Sequence, residues 1–172
     1  VSIITAIYNK EDLMHKCIAS VLSQSFKDFE YILVDDGSSD NSPKICDDYA
    51  KVDNRIKVIH RENGGHAIAR NTGVLNAIGE YVTFLDGDDY FCDNQGVEEM
   101  VRLAEENKSD IVITDFLNVW NETNKPKITI SSGIEMLEYL LKEDKYHPTP
   151  CSRLFKRAIF DNNLFKNLIS DD

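Results

Sequence analysis

An α/β fold on a mainly parallel sheet, flanked by helices, is predicted by three observations. Short runs of β-branched and aromatic residues alternate with segments whose apolar residues recur at helical spacing, the rhythm of right-handed βαβ units. Two of the strand-like runs end abruptly in acidic groups, Asp35-Asp36 and Asp86-Gly87-Asp88-Asp89. The chain has 172 residues, 42% hydrophobic and 28% charged, enough for one soluble domain with a real core.

The elements follow in order. VSIITAIY, residues 1–8, is the first strand. Over residues 11–24, Leu13, Cys17, Val21 and Gln24 fall at helical spacing beside Ile18 and Leu22, an amphipathic helix. FEYILV, 29–34, is the second strand. A Ser/Asp cluster then caps a helix over 42–53, with Pro43 in its first turn. IKVI, 56–59, is the third strand, and after Asn63-Gly64-Gly65 a helix runs over 66–78 to a stop at Gly79. The fourth strand spans 80–85. Beyond residue 90 the pattern predicts a helix over 95–107, a strand at 110–114, an irregular strand in the KITI stretch, a helix over 133–144 and a rigid connector, His147-Pro148-Thr149-Pro150. A short strand at 151–155 and a helical turn through Ile159-Phe160 complete the reading. No internal repeat, low-complexity segment or second domain stands out.

Composition removes several classes. Net charge is −11, from 30 acidic and 19 basic residues, so a general nucleic-acid surface is not expected. An anionic ligand would need a local device: a metal, an arginine or a helix N-terminus. No apolar run has the length of a membrane span, and no signal-peptide pattern is read in these residues. The chain opens directly in a strand and stops at Ile169-Ser170-Asp171-Asp172 without a terminating element, so it reads as part of a longer protein. Cys17, Cys46, Cys92 and Cys151 are widely spaced and form no C-x-x-C pair, the pattern of reduced cytosolic thiols.

The acidic strand ends are the first candidates for chemistry. Two carboxylates about 5 Å apart repel by roughly 3 kcal/mol at an effective dielectric near 20, a cost that a bound cation removes. Hard divalent ions such as Mg²⁺ prefer oxygen ligands, so Asp86 and Asp88 are read as holding a metal, and the metal a phosphate. If the fourth strand returns beside the first, both acidic groups face one crevice at the carboxyl ends of the strands, where ligands of open α/β sheets bind. Asp36 can accept a hydrogen bond from a base or ribose, against the plainer use of Asp-Gly-Ser as turn and helix cap. Gly64-Gly65 before a helix suits close approach to an anion, and Arg70, a turn further on, can reach a phosphate or a carboxylate. Both also fit an ordinary glycine turn with a surface arginine. Trp120 and Tyr146 are candidates for stacking on a sugar, and Ser152–Arg157 is a basic patch in an acidic chain. G-x-G-x-x-G, P-loop and G-x-S-x-G signatures are absent.

Taken together and in this order, these residues resemble family 2 glycosyltransferases of the GT-A, Rossmann-like fold. The resemblance rests on Ser2-Ile3-Ile4 with Tyr8-Asn9, Ser20-Val21-Leu22 with Gln24-Ser25, and Phe29-Glu30 leading into Val34–Asp40. It continues in Asn63-Gly64-Gly65 with Ala69–Gly73 and ends in Phe84–Asp89. It implies transfer of a sugar from a nucleotide-sugar donor, most often a UDP-sugar, to an acceptor hydroxyl with inversion, in the synthesis of polysaccharide or another cell-surface glycan. By resemblance, Thr5 and Tyr8 line the nucleotide pocket, and Asp36 contacts base or ribose. Gly65 and Arg70 lie near ribose and diphosphate, Asp86 contacts ribose or metal, and Asp88 is the main ligand of a divalent metal, Mn²⁺ or Mg²⁺. The resemblance assigns residues 1–90 to the donor and 91–172 to a glycan or lipid-linked acceptor, all in one catalytic domain. It implies a cytoplasmic location at the inner face of the membrane, with peripheral association through regions outside this chain. Ala6 stands where the family commonly has proline. The family's base lies in an acidic pair beyond the metal motif, and by resemblance that pair is Asp171-Asp172, with Asp172 the catalytic base and Asp171 in place of the usual glutamate.

The chemistry asks for these parts independently of the family. An attacking hydroxyl needs a general base, and a departing diphosphate needs a Lewis acid and fixed positive charge. Two alternatives use similar parts: a nucleotide-sugar-binding module without turnover, and a metal-dependent nucleotidyltransferase. The second would want a Gly/Lys-rich phosphate loop near the first strand, which residues 6–12 lack.

Overall fold

The structure, a computed structural model, describes residues 1–114, 129–131 and 150–162. Strands β1 (Ser2–Ile7), β2 (Glu30–Asp35), β3 (Ile56–His60) and β4 (Tyr81–Phe84) alternate with helices α1 (Met14–Leu22), α2 (Ser42–Val52) and α3 (His66–Leu75). Helix α4 (Gly96–Asn107) follows, then β5 (Ile111–Ile113), β6 (Thr129–Ser131), β7 (Arg153–Lys156) and a 3₁₀ turn over Arg157–Asn162. The helix predicted over 133–144 lies outside the described residues, as do Trp120, Tyr146 and Asp171-Asp172.

The described strands form one sheet in the order β3-β2-β1-β4-β7-β5-β6. The first four are parallel, with Ile3 opposite Tyr31 on one side and Thr83 on the other. Strand β4 does return beside β1, as the crevice requires. Beyond β4 the sheet turns antiparallel: β7 pairs with β4 and with β5, and β5 with β6. The helical rhythm that marks parallel crossovers fades after α4 for this reason.

The pleat of β1 explains the layers. Ile3 and Ile7 face one way, with Tyr31 and Leu33 of β2, and join Met14, Ile18 and Val21 of α1 and Val97 and Met100 of α4. Ile4 faces the other way, with Ile32, Val34 and Phe84, and meets Ala69 of α3. Each fully buried aliphatic side chain contributes about 2 kcal/mol. No helix among the described residues is long and apolar enough to cross a membrane.

Polar side chains tie these layers together. Gln24, fully buried, donates to the carbonyls of Ser20 and Asp93 and accepts from Val97 N–H, so the end of α1 fixes the start of α4. Glu30 accepts from Ser2 Oγ (2.5 Å) and Ile78 N–H (2.7 Å), joining two strands to the loop that enters β4. Helix α3 stops at Leu75, earlier than the sequence suggests, because Asn76 closes it. Its N–H donates to Gly73 O (3.1 Å) and its Nδ2 to Thr72 O (2.9 Å).

Gly73 is where α3 touches the sheet. A Cβ there would lie 2.4 Å from Ile4 Cγ2, inside a fully buried side chain. Alanine gains about 1 kcal/mol of helix propensity over glycine, but forcing the helix off β1 costs roughly 1–3 kcal/mol. Gly73→Ala is therefore expected to be net destabilising, lowering the urea midpoint at unchanged m-value.

Candidate active site

The parallel strands end on one side of the sheet, and β1 lies between β2 and β4. Both acidic segments therefore flank the chain that leaves β1 at Tyr8-Asn9-Lys10. That turn is fixed from the β2 side. Asn9, at φ 51°, takes the left-handed conformation that asparagine tolerates best after glycine. Its N–H donates to Ser38 Oγ (3.0 Å), and its Oδ1 accepts from Ser39 N–H (2.8 Å). Tyr8 is half exposed at the mouth of the crevice.

Asp36 is held inside the protein. Its carboxylate is buried and accepts from Gly65 N–H (2.8 Å), Gly64 N–H (3.1 Å) and the Arg61 guanidinium. Asn63 Nδ2 donates to its carbonyl (3.0 Å). Gly65 sits at φ 88°, where a side chain would be strained. Thus the Gly64 and Gly65 N–H groups, in the turn that the sequence suits to close approach of an anion, are spent on Asp36. Its neighbour Asp35 caps the following turn through Ser38 N–H (3.1 Å) and faces His60 Nδ1 (3.0 Å). Thr5 is fully buried beneath the crevice, its hydroxyl bonded to Tyr31 Oη (3.0 Å), so it offers no side-chain atom to a ligand.

At the end of β4, Arg70 donates from Nη2 to Asp86 Oδ1 (2.5 Å) and lies 3.9 Å from Cys151 Sγ. Arg70 is 9% exposed. Its Nε is buried without an acceptor among the described residues. Asp88 is the outermost acid, and its Oδ2 accepts from Lys10 Nζ (2.6 Å). Burial first, then Asp86 and Asp88, push the Asp89 carboxyl above the usual carboxylate range, with Lys10 opposing. Asp172, the expected base, lies outside the described residues.

Ligand atoms of Asp86, Asp89 and Cys151 lie within 4.8 Å of one another. Arg70 already contacts two of the three, so that corner is neutralised by a guanidinium. Asp88 stands apart from the cluster, turned towards Lys10. The carboxylate chemistry fits a hard divalent cation, and Asp86 and the exposed Asp88 are the carboxylates that would hold one. Sequence reasoning missed Cys151, Arg61 and Lys10. Lys10 adjoins the Tyr8-Asn9 motif, whereas nothing local to Cys151 or Arg61 announces their place.

Two arginines of the basic patch have structural roles. Arg153 is buried in β7, and Arg157 donates from Nε to Gly79 O (2.8 Å). No disulfide joins the four cysteines among the described residues. Burial pushes the Cys17 thiol up to about 11 and that of Cys46 to about 12, so neither is a ready nucleophile. A depression lined by Val1, Phe29, Glu30, Gly79 and Glu105 lies at the opposite, amino end of the strands.

A parallel βαβ half with paired acidic strand ends, continued by an antiparallel half, defines an open α/β architecture on a mixed sheet. The chain belongs to glycosyl transferase family 2, whose sequence model matches residues 2–164. It is 35% identical over 170 residues to EpsH of Bacillus subtilis (strain 168), named as a glycosyltransferase; the match covers 94% of this chain and 48% of EpsH. It is 41% identical over 119 residues to the glycosyltransferase GlyG of Streptococcus pneumoniae serotype 4, covering 69% of this chain and 39% of GlyG. The crystal structure of S. aureus TarS 1-349 in complex with UDP-GlcNAc superposes with a TM-score of 0.73 at 26% identity, covering 94% of this chain and 46% of that one. The chain thus spans about half the length of these relatives or less.

One contact beside the site involves a histidine whose pKa is raised. The hydrogen bond to Asp35 raises the His60 pKa above its ordinary 6.5, burial opposes it, and Asp47 (3.1 Å from Nε2) adds to the rise. A raised histidine contributes stability that is fully present below about 6.5 and lost as pH rises through the folded value. His60→Gln should therefore lower Tm more at about pH 5.5 than at about pH 9, by roughly 1–3 °C, in melts across that range.

Proposed function

We propose that this chain carries the donor site of an inverting glycosyltransferase. The enzyme would transfer a sugar from a UDP-sugar to a hydroxyl of a glycan or lipid-linked acceptor in cell-surface glycan synthesis. The observation that carries the reading is the placement of two carboxylate loops on either side of the chain leaving β1, with three of their acids each paired to a cation: Arg61 for Asp36, Arg70 for Asp86, Lys10 for Asp88. Family membership and the likeness to a UDP-GlcNAc-bound enzyme support it.

In this reading residues 1–90 hold the donor and 91–172 face the acceptor. Tyr8 borders the base. Asp36 acts by shaping the Gly64-Gly65 loop through its two N–H bonds. Arg70 places fixed positive charge beside Asp86 in a largely dry setting, where it offsets negative charge gathering on a departing diphosphate. Asp88 with Asp86 would hold Mn²⁺ or Mg²⁺, which when bound supplies Lewis-acid stabilisation of that diphosphate. Asp172 takes the proton of the acceptor hydroxyl as it attacks from the face opposite the leaving group, which gives inversion.

The test is UDP release by the full-length protein from a panel of UDP-sugars with Mn²⁺. Asp88→Asn is expected to cut metal-dependent release by about 100-fold or more. Asp172→Asn is expected to abolish transfer while leaving UDP-sugar affinity unchanged in calorimetry. Full turnover by either variant removes its assigned role. Pyrophosphate release from nucleoside triphosphates, with UDP-sugars inert, would replace this reading with a nucleotidyltransferase.

A further inference from the structure

Two acid–base pairs stand on the loop after β4, and they differ in kind. Arg70 is buried against Asp86, its side chain 11% exposed, whereas Lys10 and Asp88 have side chains 33% and 43% exposed. In the first pair the guanidinium is buried and Asp86 is 34% exposed, whereas in the second both side chains are partly in water. Exposed ion pairs are weak and exchange readily, because water screens the attraction and holding two long side chains costs entropy.

We propose that Lys10 is a built-in counter-ion of Asp88, one that a divalent cation must displace, so that Lys10 sets the metal affinity of the site. This rests on Asp88 being a metal ligand. Three features support it. Lys10 Nζ lies 2.6 Å from Asp88 Oδ2, the oxygen a metal would need, and Asp88 stands outside the Asp86–Asp89–Cys151 cluster. The Lys10 backbone is anchored: its N–H donates to Ser42 Oγ (2.9 Å), and its carbonyl accepts from Leu13 and Met14 N–H (each 3.0 Å). Exchange therefore moves only the side chain. Its stem lies across Gly87, where a Cβ would come 3.3 Å from Lys10 Cγ, so the absence of a side chain between the two acids gives the lysine its path. A divalent ion carries twice the charge of an ammonium, so it wins Asp88 when present. When it is absent, the lysine holds the loop's outer charge neutral.

Mn²⁺ titration calorimetry of the full-length protein, with and without UDP, tests this. Lys10→Met and Lys10→Gln are expected to tighten Mn²⁺ binding by about three- to tenfold, because the competing cation is gone. Lys10→Arg keeps the charge and should stay within about twofold of the unmodified protein. The gain should vanish when Asp88→Asn is combined with Lys10→Met. Unchanged or weaker Mn²⁺ affinity in both neutral variants, with Asp88→Asn still impairing binding, overturns the role of Lys10 and leaves the donor-site reading standing. Mn²⁺ affinity indifferent to Asp88→Asn overturns both the role of Lys10 and that of Asp88.

Discussion

Crowding of carboxylates at one end of a sheet is the constraint on which this structure depends. Asp35, Asp36, Asp86, Asp88 and Asp89 all come to the carboxyl ends of β2 and β4, on either side of β1. Left alone they would repel at close quarters, and the buried ones would also lack hydration. The fold answers each differently. Asp36 collects two backbone N–H groups and Arg61, Asp35 a turn N–H and His60, Asp86 the buried Arg70, and Asp88 the exposed Lys10. Asp89, desolvated by burial and then pressed by both acidic neighbours, has its pKa raised instead.

These answers shape the rest of the site. Because Asp36 takes the Gly64 and Gly65 N–H groups, the loop entering α3 is fixed by a side chain just past the end of β2. The first turn of α3 then brings Arg70 to β4. Arg70 also lies against Cys151, just before β7, so the arginine joins the parallel half of the sheet to the antiparallel half. On the other side of β1, the left-handed Asn9 bound to Ser38 and Ser39 sets where Lys10 starts, and so which acid it reaches.

Much of this was legible in the linear pattern. The four strands of the parallel half, α2, the start of α3 and α4 all follow from apolar periodicity and turn residues, and the two acidic strand ends from their abrupt change of composition. The later part was less legible. Strands β5, β6 and β7 are short and pair with distant partners, so periodicity gives their existence without their order. Thr5 shows the same limit in one residue. It lies in a motif that resembles a nucleotide pocket, yet the pleat of β1 turns its side chain to Tyr31 beneath the crevice.

The sequence by itself determined the fold class, the family resemblance and the chemistry on offer: hard oxygen donors at strand ends, a glycine turn before a helix, and an arginine one turn in. Those are properties of residue type and local spacing, which a linear pattern carries. Only the tertiary structure decided which cation meets which acid. Arg61 goes to Asp36 across 25 positions, Arg70 to Asp86 across 16 and Lys10 to Asp88 across 78. Partners that far apart are chosen by strand order and register, and no spacing along the chain encodes those.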